Sequence, residues 1–204
     1  MSTKMINELL EEIAKEVIEE EKCTLIYIPI QEDVVLQFFS KSKKNQDIGQ
    51  DYPANWRNIL SNFHQFEIEI DGNKYPSIEH YFHAEKFRIS SKPSVASNFM
   101  VGGSVGPDTL DAKRAGGKAG FKREGVTLDI KKWNSVRDEV MTKAVMARIE
   151  QDEEYKRILL RLKDMHVVLL HFDRGGSKSY WGGKYKDGEI MGENKLGKIM
   201  MDLW

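Results

Sequence analysis

A single cysteine, Cys23, leaves the chain unable to close an internal disulfide or to supply a cysteine-based zinc site, and it suits a reducing compartment. Charge of one sign is also missing. Thirty-one Lys and Arg face 32 Asp and Glu, so no global field draws in nucleic acid or an anionic membrane, and any polyanion contact must be local. No apolar run approaches the roughly 20 residues that span a bilayer. The first residues are rich in Glu and carry no apolar core of a secretory signal. A soluble protein of the cytoplasm or nucleus with no membrane partner is therefore expected. The chain also lacks a phosphate-binding loop and a dinucleotide fingerprint, and with no helical zinc motif a metal site is not expected.

What is present is an ordinary globular composition, 40 % apolar and 31 % charged, in 204 residues, enough for one sizeable core. Charge segregates locally. Residues 5–22 hold seven Glu against Lys15 and Lys22, whereas residues 113–132 gather Lys113, Arg114, Lys118, Lys122, Arg123, Lys131 and Lys132.

Periodicity divides the chain. Ile6, Leu9, Leu10, Ile13 and Val17 predict an amphipathic helix over residues 4–21, followed by β-rich runs at 25–30 and 34–39 and a polar surface loop at 40–55. Phe66, Ile68 and Ile70 alternate with Glu67 and Glu69 before Asp71-Gly72, which reads as a β-hairpin over residues 66–75. Ser77 is a good cap for a helix on which Ile78, Phe82, Glu85 and Ile89 fall on one face. Asp129 caps a long helix with Trp133, Val136, Val140, Ala144 and Ala147 in a stripe, and a second helix carries Tyr155, Ile158, Leu159 and Leu162. A short strand at 167–170, seven glycines between Gly175 and Gly197, and a closing helix with Leu196, Ile199, Met200 and Leu203 inward complete the pattern. Residues 94–127 are rich in glycine and resist assignment. The expected class is α+β: a mainly α-helical domain over residues 34–204 with a small antiparallel β-sheet, preceded by a helix-and-strand extension at 1–33.

Four segments share an order and spacing with a known family: Ser61-Asn62-Phe63; Glu79-His80-Tyr81-Phe82 running into Lys86-Phe87; Trp133 with Met141 and Ala144; and Tyr180-Trp181-Gly182 followed by Gly192-Glu193-Asn194-Lys195-Leu196-Gly197 and Met200-Met201. In these the chain resembles the NADAR superfamily from about residue 34 to its end, departing at His83, where many members have Gln. The resemblance implies a compact α+β fold and hydrolysis of N-glycosidic bonds without a metal or organic cofactor. It implies ligands containing ADP-ribose or a ribosyl phosphate: ADP-ribose on guanine in DNA or RNA, or ribosylamino-pyrimidine intermediates of riboflavin synthesis. It also leaves a reader of ADP-ribose without turnover as an alternative.

Physical chemistry assigns roles within those segments. Glu79, His83 and Lys86 fall at i, i+4 and i+7, one polar stripe of a helix. Cleaving a ribose C1–N bond develops oxocarbenium charge, which a carboxylate stabilises while activating water. Glu79 is the first choice, since a place in the first helical turn favours its ionised form. A lysine offers a second route by capturing opened ribose as a Schiff base, with Lys41 and Lys86 as candidates and Lys41 preferred. Asp173 is a second carboxylate or an acceptor for ribose hydroxyls. Tyr180 and Trp181 offer stacking surfaces, while Gly182, Gly197 and Asn194 surround a glycine cluster whose amides could approach phosphate. The resemblance further implies Ser61, Asn62, Phe63, His83 and Trp133 as the rest of the substrate-binding set.

Overall fold

The computed structural model describes residues 34–204. The helix expected at 4–21, the strand at 25–30 and the extension they compose lie outside the described residues.

Two apolar segments from opposite ends of this region pair side by side. Strand β1 (Val35–Phe38) runs parallel to β4 (Val168–His171), with Val35 opposite Val168 and Phe38 opposite His171. A parallel pair requires a crossover, and here nearly all the intervening elements form it. They are α1 (Trp56–Ile59), the hairpin β2 (Ile68–Ile70) and β3 (Asn73–Tyr75), α2 (Ile78–Arg88), a 3-10 segment (Pro93–Phe99), α3 (Thr109–Ala115), α4 (Lys118–Arg123), α5 (Ile130–Gln151) and α6 (Glu153–Asp164). After β4 come a 3-10 turn (Gly176–Lys178), the hairpin β5 (Lys184–Lys186) and β6 (Glu189–Met191), and α7 (Lys195–Leu203).

The α+β class, mainly helical, is as expected. The strands differ in detail: they form three two-stranded sheets, two of them antiparallel hairpins and the third the parallel β1–β4 pair. Hairpin pairing is written locally in turn chemistry, as at Asp71 and Gly72, which adopt φ of 52° and 73°. The direction of β1 relative to β4 is set only by the long crossover.

Helix α2 sits at the centre. Ser77 caps it, its side chain accepting from the His80 amide, as the sequence suggested. The face is another matter: Ile78, Tyr81, Ala84 and Phe87 are the deeply buried apolar residues, and only Arg88 of the helix is exposed. The 3-10 segment, α5 and α3 pack against α2 from several sides, so its polar residues are enclosed as well. Helix α5 begins at Asp129, whose carboxylate accepts from the Lys132 amide at 2.9 Å, and it buries Trp133, Met141, Ala144, Val145 and Ala147. Residues 40–55 form a loop without strand or helix, yet Ile48 within it is fully buried, an anchor that the polar composition conceals. The glycine-rich stretch resolves into the 3-10 segment and two short helices, α3 starting at Asp108, which accepts from the Leu110 amide.

Candidate active site

The first turn of α2 presents Glu79 toward the ends of β4 and α3. Its carboxylate Oε1 accepts from His83 Nε2 at 3.1 Å, and both side chains are nearly enclosed. The Glu79 amide donates to the Asn62 carbonyl at 3.2 Å, which ties the Ser61-Asn62-Phe63 segment to the carboxylate's base. Burial pushes the Glu79 carboxyl up, but the His83 hydrogen bond and charge, then Lys113 and Lys86, outweigh it and hold the group below the usual glutamate range. Its other oxygen accepts no hydrogen bond from the described residues.

His83 is held from behind. Gly116 lies against its ring so closely that a Cβ there would stand 2.1 Å from the imidazole, and the Gly116 carbonyl accepts from Lys86 Nζ at 2.6 Å. Burial lowers Lys86, with Glu79 opposing, and its ammonium lies 5.3 Å from the Phe121 ring centre. Lys86 is thus turned toward α4.

Three buried polar atoms near Glu79 have no partner: Asn62 Oδ1, His83 Nδ1 and His171 Nδ1. Buried polar atoms are normally paired, so three around one carboxylate point to a site that water or a ligand completes. His171 ends β4; burial lowers its titration, while the Trp181 backbone, Asp173 and Glu79 oppose that shift. Asp173 follows two residues later. Its Oδ1 accepts from the Gly175 amide at 2.8 Å and its Oδ2 from Ser179 Oγ at 2.7 Å, and these bonds hold it below the usual aspartate range. Lys113 on α3 contributes to the shifts of Glu79, His171 and Asp173 alike, and its Nζ stands 5.1 Å from the Phe63 ring centre.

Aromatic rings form one wall. Phe82 meets Trp133 edge-on at 5.0 Å and Trp181 edge-on at 5.4 Å. Tyr180 departs from the role expected of it. Its hydroxyl donates to Asp138 Oδ1 on α5 at 2.5 Å, and Arg137 covers one face of its ring at 3.5 Å, so it acts as a clasp between loop and helix.

The structure therefore brings together Asn62, Phe63, Glu79, His83, Lys86, Trp133, Asp173 and Trp181. Ser61 is buried beneath them, its hydroxyl accepting from the Phe63 amide. Lys41 lies on the exposed turn after β1; because β1 and β4 are parallel, it leaves the same end of the pair as Asp173. Asn194 and Gly197 do not face the site. The Asn194 amide donates to the Leu169 carbonyl at 2.7 Å and accepts from the His171 amide at 3.0 Å, fastening α7 to β4. A Cβ at Gly197 would stand 2.3 Å from the Leu169 carbonyl. The glycine-loop amides are also engaged: Gly175 with Asp173, Gly182 with Ser179 Oγ, and Gly183 with the His171 carbonyl. They leave no ready phosphate cradle.

Sequence reasoning passed over Lys113, His171 and Gly116 as site residues. Lys113 stood only within a basic stretch, and no periodic signal separates it from its neighbours. Among the described residues, no group of three or more His, Cys, Asp or Glu is placed to hold a metal ion, and no helix is long and apolar enough to cross a membrane.

A nearly enclosed carboxylate held below its usual range and paired to histidine, under an aromatic wall and near a second carboxylate, is an arrangement able to stabilise developing positive charge. The NADAR domain matches residues 38–203, and the chain belongs to that family. It is 29 % identical over 177 residues to the N-glycosidase YbiA of Escherichia coli, covering 85 % of this chain and 89 % of that one. It is 24 % identical over 145 residues to an N-glycosidase of Nostoc punctiforme, covering 71 % of this chain and 81 % of the relative. The NMR structure of E. coli YbiA superposes with a TM-score of 0.58 at 27 % identity, covering 85 % of this chain and 84 % of that one. A riboflavin biosynthesis protein of Vibrio vulnificus is 27 % identical over 146 residues, covering 70 % of this chain and 34 % of its own length.

Proposed function

We propose that this hydrolase of N-glycosyl bonds removes ADP-ribose from guanine in DNA or RNA, acting in the cytoplasm or nucleus. The observation that carries the chemistry is Glu79. It is enclosed yet ionised, with one oxygen held by His83 and the other unengaged. An ionised carboxylate cannot serve as the general acid; it stabilises the oxocarbenium as the C1–N bond lengthens and draws a proton from the attacking water. Asp173, also ionised, is suited to accept from ribose hydroxyls, and the Trp133, Phe82 and Trp181 rings provide an apolar wall. Lys113 beside both carboxylates, with the further cations of residues 114–132, favours a substrate that brings several phosphates to this face.

A second reading, hydrolysis of a ribosylamino-pyrimidine phosphate, is favoured by the riboflavin biosynthesis protein among the relatives. One experiment separates them. The protein is incubated with ADP-ribosyl-guanosine in an oligonucleotide and, separately, with a ribosylamino-pyrimidine phosphate, and released products are identified by mass spectrometry. Restored guanine together with free ADP-ribose supports the proposal; release of the pyrimidine alone overturns it. Borohydride added during turnover tests the covalent route in the same samples. Lys86 is committed to the Gly116 carbonyl, whereas Lys41 is free to swing over the end of the β1–β4 pair, so a reduced sugar adduct is expected on Lys41. Normal turnover with neither lysine modified would leave direct attack by water.

A further inference from the structure

A single hydrogen bond orients the imidazole of His83. Its Nε2 meets Glu79 Oε1 at 3.1 Å, while its Nδ1 is buried with no partner among the described residues. The terminal torsion of a histidine has only broad preferences of its own, so packing must select the ring angle that keeps Nε2 on the carboxylate. The Phe82 and Phe99 rings stand off at centroid separations of 5.7 and 6.2 Å. Gly116 comes closer: a Cβ on it would stand inside the imidazole at Cγ and Nδ1. The backbone does not demand glycine there. Gly116 ends α3 with φ of −85° and ψ of 0°, a conformation open to residues with side chains, so only the space taken by the His83 ring requires the missing Cβ.

The Gly116 peptide is in turn held from two directions. Lys86, three residues beyond His83 and so on the same side of α2, donates through Nζ to the Gly116 carbonyl at 2.6 Å, a charge-assisted bond in partly buried surroundings. From the other direction α4 closes back on the end of α3, where a Cβ at Gly120 would overlap the Ala115 carbonyl. The contacts leave α2 at His83, cross the Gly116 peptide and return to α2 at Lys86.

We propose that Gly116 is a positioning residue for the reaction, its peptide a backstop that keeps the His83 ring on Glu79, and that Lys86 fastens this backstop. The proposal rests on the reading of Glu79 as the reacting carboxylate and adds what holds that carboxylate ready. The charged and titratable groups that bear on Glu79 are His80, His83 and Lys86 on its own helix, Lys113 from α3 and His171 from β4. Among the described residues only His83 donates a hydrogen bond to it. A ring that turns away removes that donor, and burial then acts on the carboxyl against the lysines alone. A support of this kind acts on turnover more than on binding, because it fixes a reacting group without touching substrate.

The test begins with Gly116→Ala, which alters no charge and adds one methyl group. In the substrate-free protein the His83 ring-nitrogen resonances should lose the signature of an Nε2–H bonded to a carboxylate. On whichever of the two substrates above the protein cleaves, kcat should fall about ten-fold or more with KM within a few-fold, and the acid limb of kcat/KM should move to higher pH. Adding His83→Gln, which removes the ring and keeps an amide donor, should recover much of that loss. Lys86→Met should move kcat and the limb in the same direction. Lys86→Arg, which keeps a donor for the Gly116 carbonyl, should restore both, and this pair decides the matter if Gly116→Ala does not fold. A Gly116→Ala that lowers only the urea midpoint, with ring resonances, kcat and acid limb unchanged, would reduce the glycine to packing and overturn the proposal. Equal activity of Lys86→Met and Lys86→Arg would remove Lys86 as the fastener. Glu79→Gln separates the two layers: full turnover in that variant refutes the reading of the carboxylate, whereas an inactive Glu79→Gln beside a fully active Gly116→Ala refutes the positioning role alone.

Discussion

Two carboxylates in this molecule pair with a basic side chain four residues away on the same stretch of chain, and both pairs are withdrawn from solvent. Glu79–His83 stands at 12 % and 8 % side-chain exposure, and Arg148–Asp152, at the corner between α5 and α6, stands at 8 % for the aspartate and 1 % for the arginine. Their surroundings differ. Asp152 spends both oxygens: Oδ2 accepts from Arg148 Nε and Nη2, and Oδ1 accepts from the Tyr155 amide and so caps α6. The Phe66 and Tyr155 rings flank the guanidinium at 5.4 and 4.5 Å. That pair joins two helices, although Arg148 Nη1 and the Tyr155 hydroxyl beside it are buried without a partner. Glu79 spends one oxygen, its histidine partner keeps a buried Nδ1 unmatched, and two further cations bear on it. Burial alone therefore does not mark a reactive pair. Nor does a buried polar atom without a partner, which both pairs have; a carboxylate oxygen left without a donor and further cations nearby set the Glu79 pair apart.

Breaking each pair should produce opposite phenotypes. Arg148→Met leaves Asp152 ionised and unpaired inside the domain, and it should cost about 3–5 kcal/mol of folding stability. Urea unfolding measures this; a loss of less than about 1 kcal/mol would deny the corner its structural role. Glu79→Gln keeps shape and removes charge. It should lower kcat by roughly a hundred-fold or more, about 3 kcal/mol of transition-state stabilisation, while ligand affinity stays within a few-fold and the urea midpoint moves little. Turnover of Glu79→Gln at the unmodified rate would remove Glu79 from the chemistry.

Half of this contrast was legible in the sequence, for reasons that are physical. Helix starts are local events, so Ser77 and Asp129 announced α2 and α5, and Asp71-Gly72 announced the first hairpin. Spacing at i, i+4 and i+7 is itself enough to put Glu79, His83 and Lys86 on one side of a helix. What escaped depends on contacts distant in the chain: Asn62 against Met141, Lys86 against Gly116, and Lys113 against Phe63. Asn194 and Gly197 misled because a polar amide and a glycine serve close packing on β4 as readily as they serve phosphate. The face of α2 misled because a helix enclosed on several sides has no solvent-facing stripe to frame its apolar one.

The smallest effect concerns Lys113, and it sharpens the contrast most directly. Glu79 is buried, which by itself would raise its carboxyl, yet it is held below the ordinary glutamate range by His83, Lys113 and Lys86. A carboxyl whose folded pKa lies below its unfolded value of about 4.3 is ionised in both states at higher pH. Its contribution to stability is complete above that value and is lost as pH falls through the lower, folded pKa. The acid limb of kcat/KM should therefore lie below the pH at which a free glutamate titrates. Lys113→Met removes one of the cations that keep it there, so the limb should move upward toward ordinary glutamate behaviour, while the neutral-pH rate falls less than in Glu79→Gln. Because Lys113 is exposed, salt screens its charge, and the difference between variant and parent should narrow as ionic strength rises. A limb that stays in place, or moves to lower pH, would show that Lys113 does not act on the carboxylate and would leave His83 and Lys86 as its only supports.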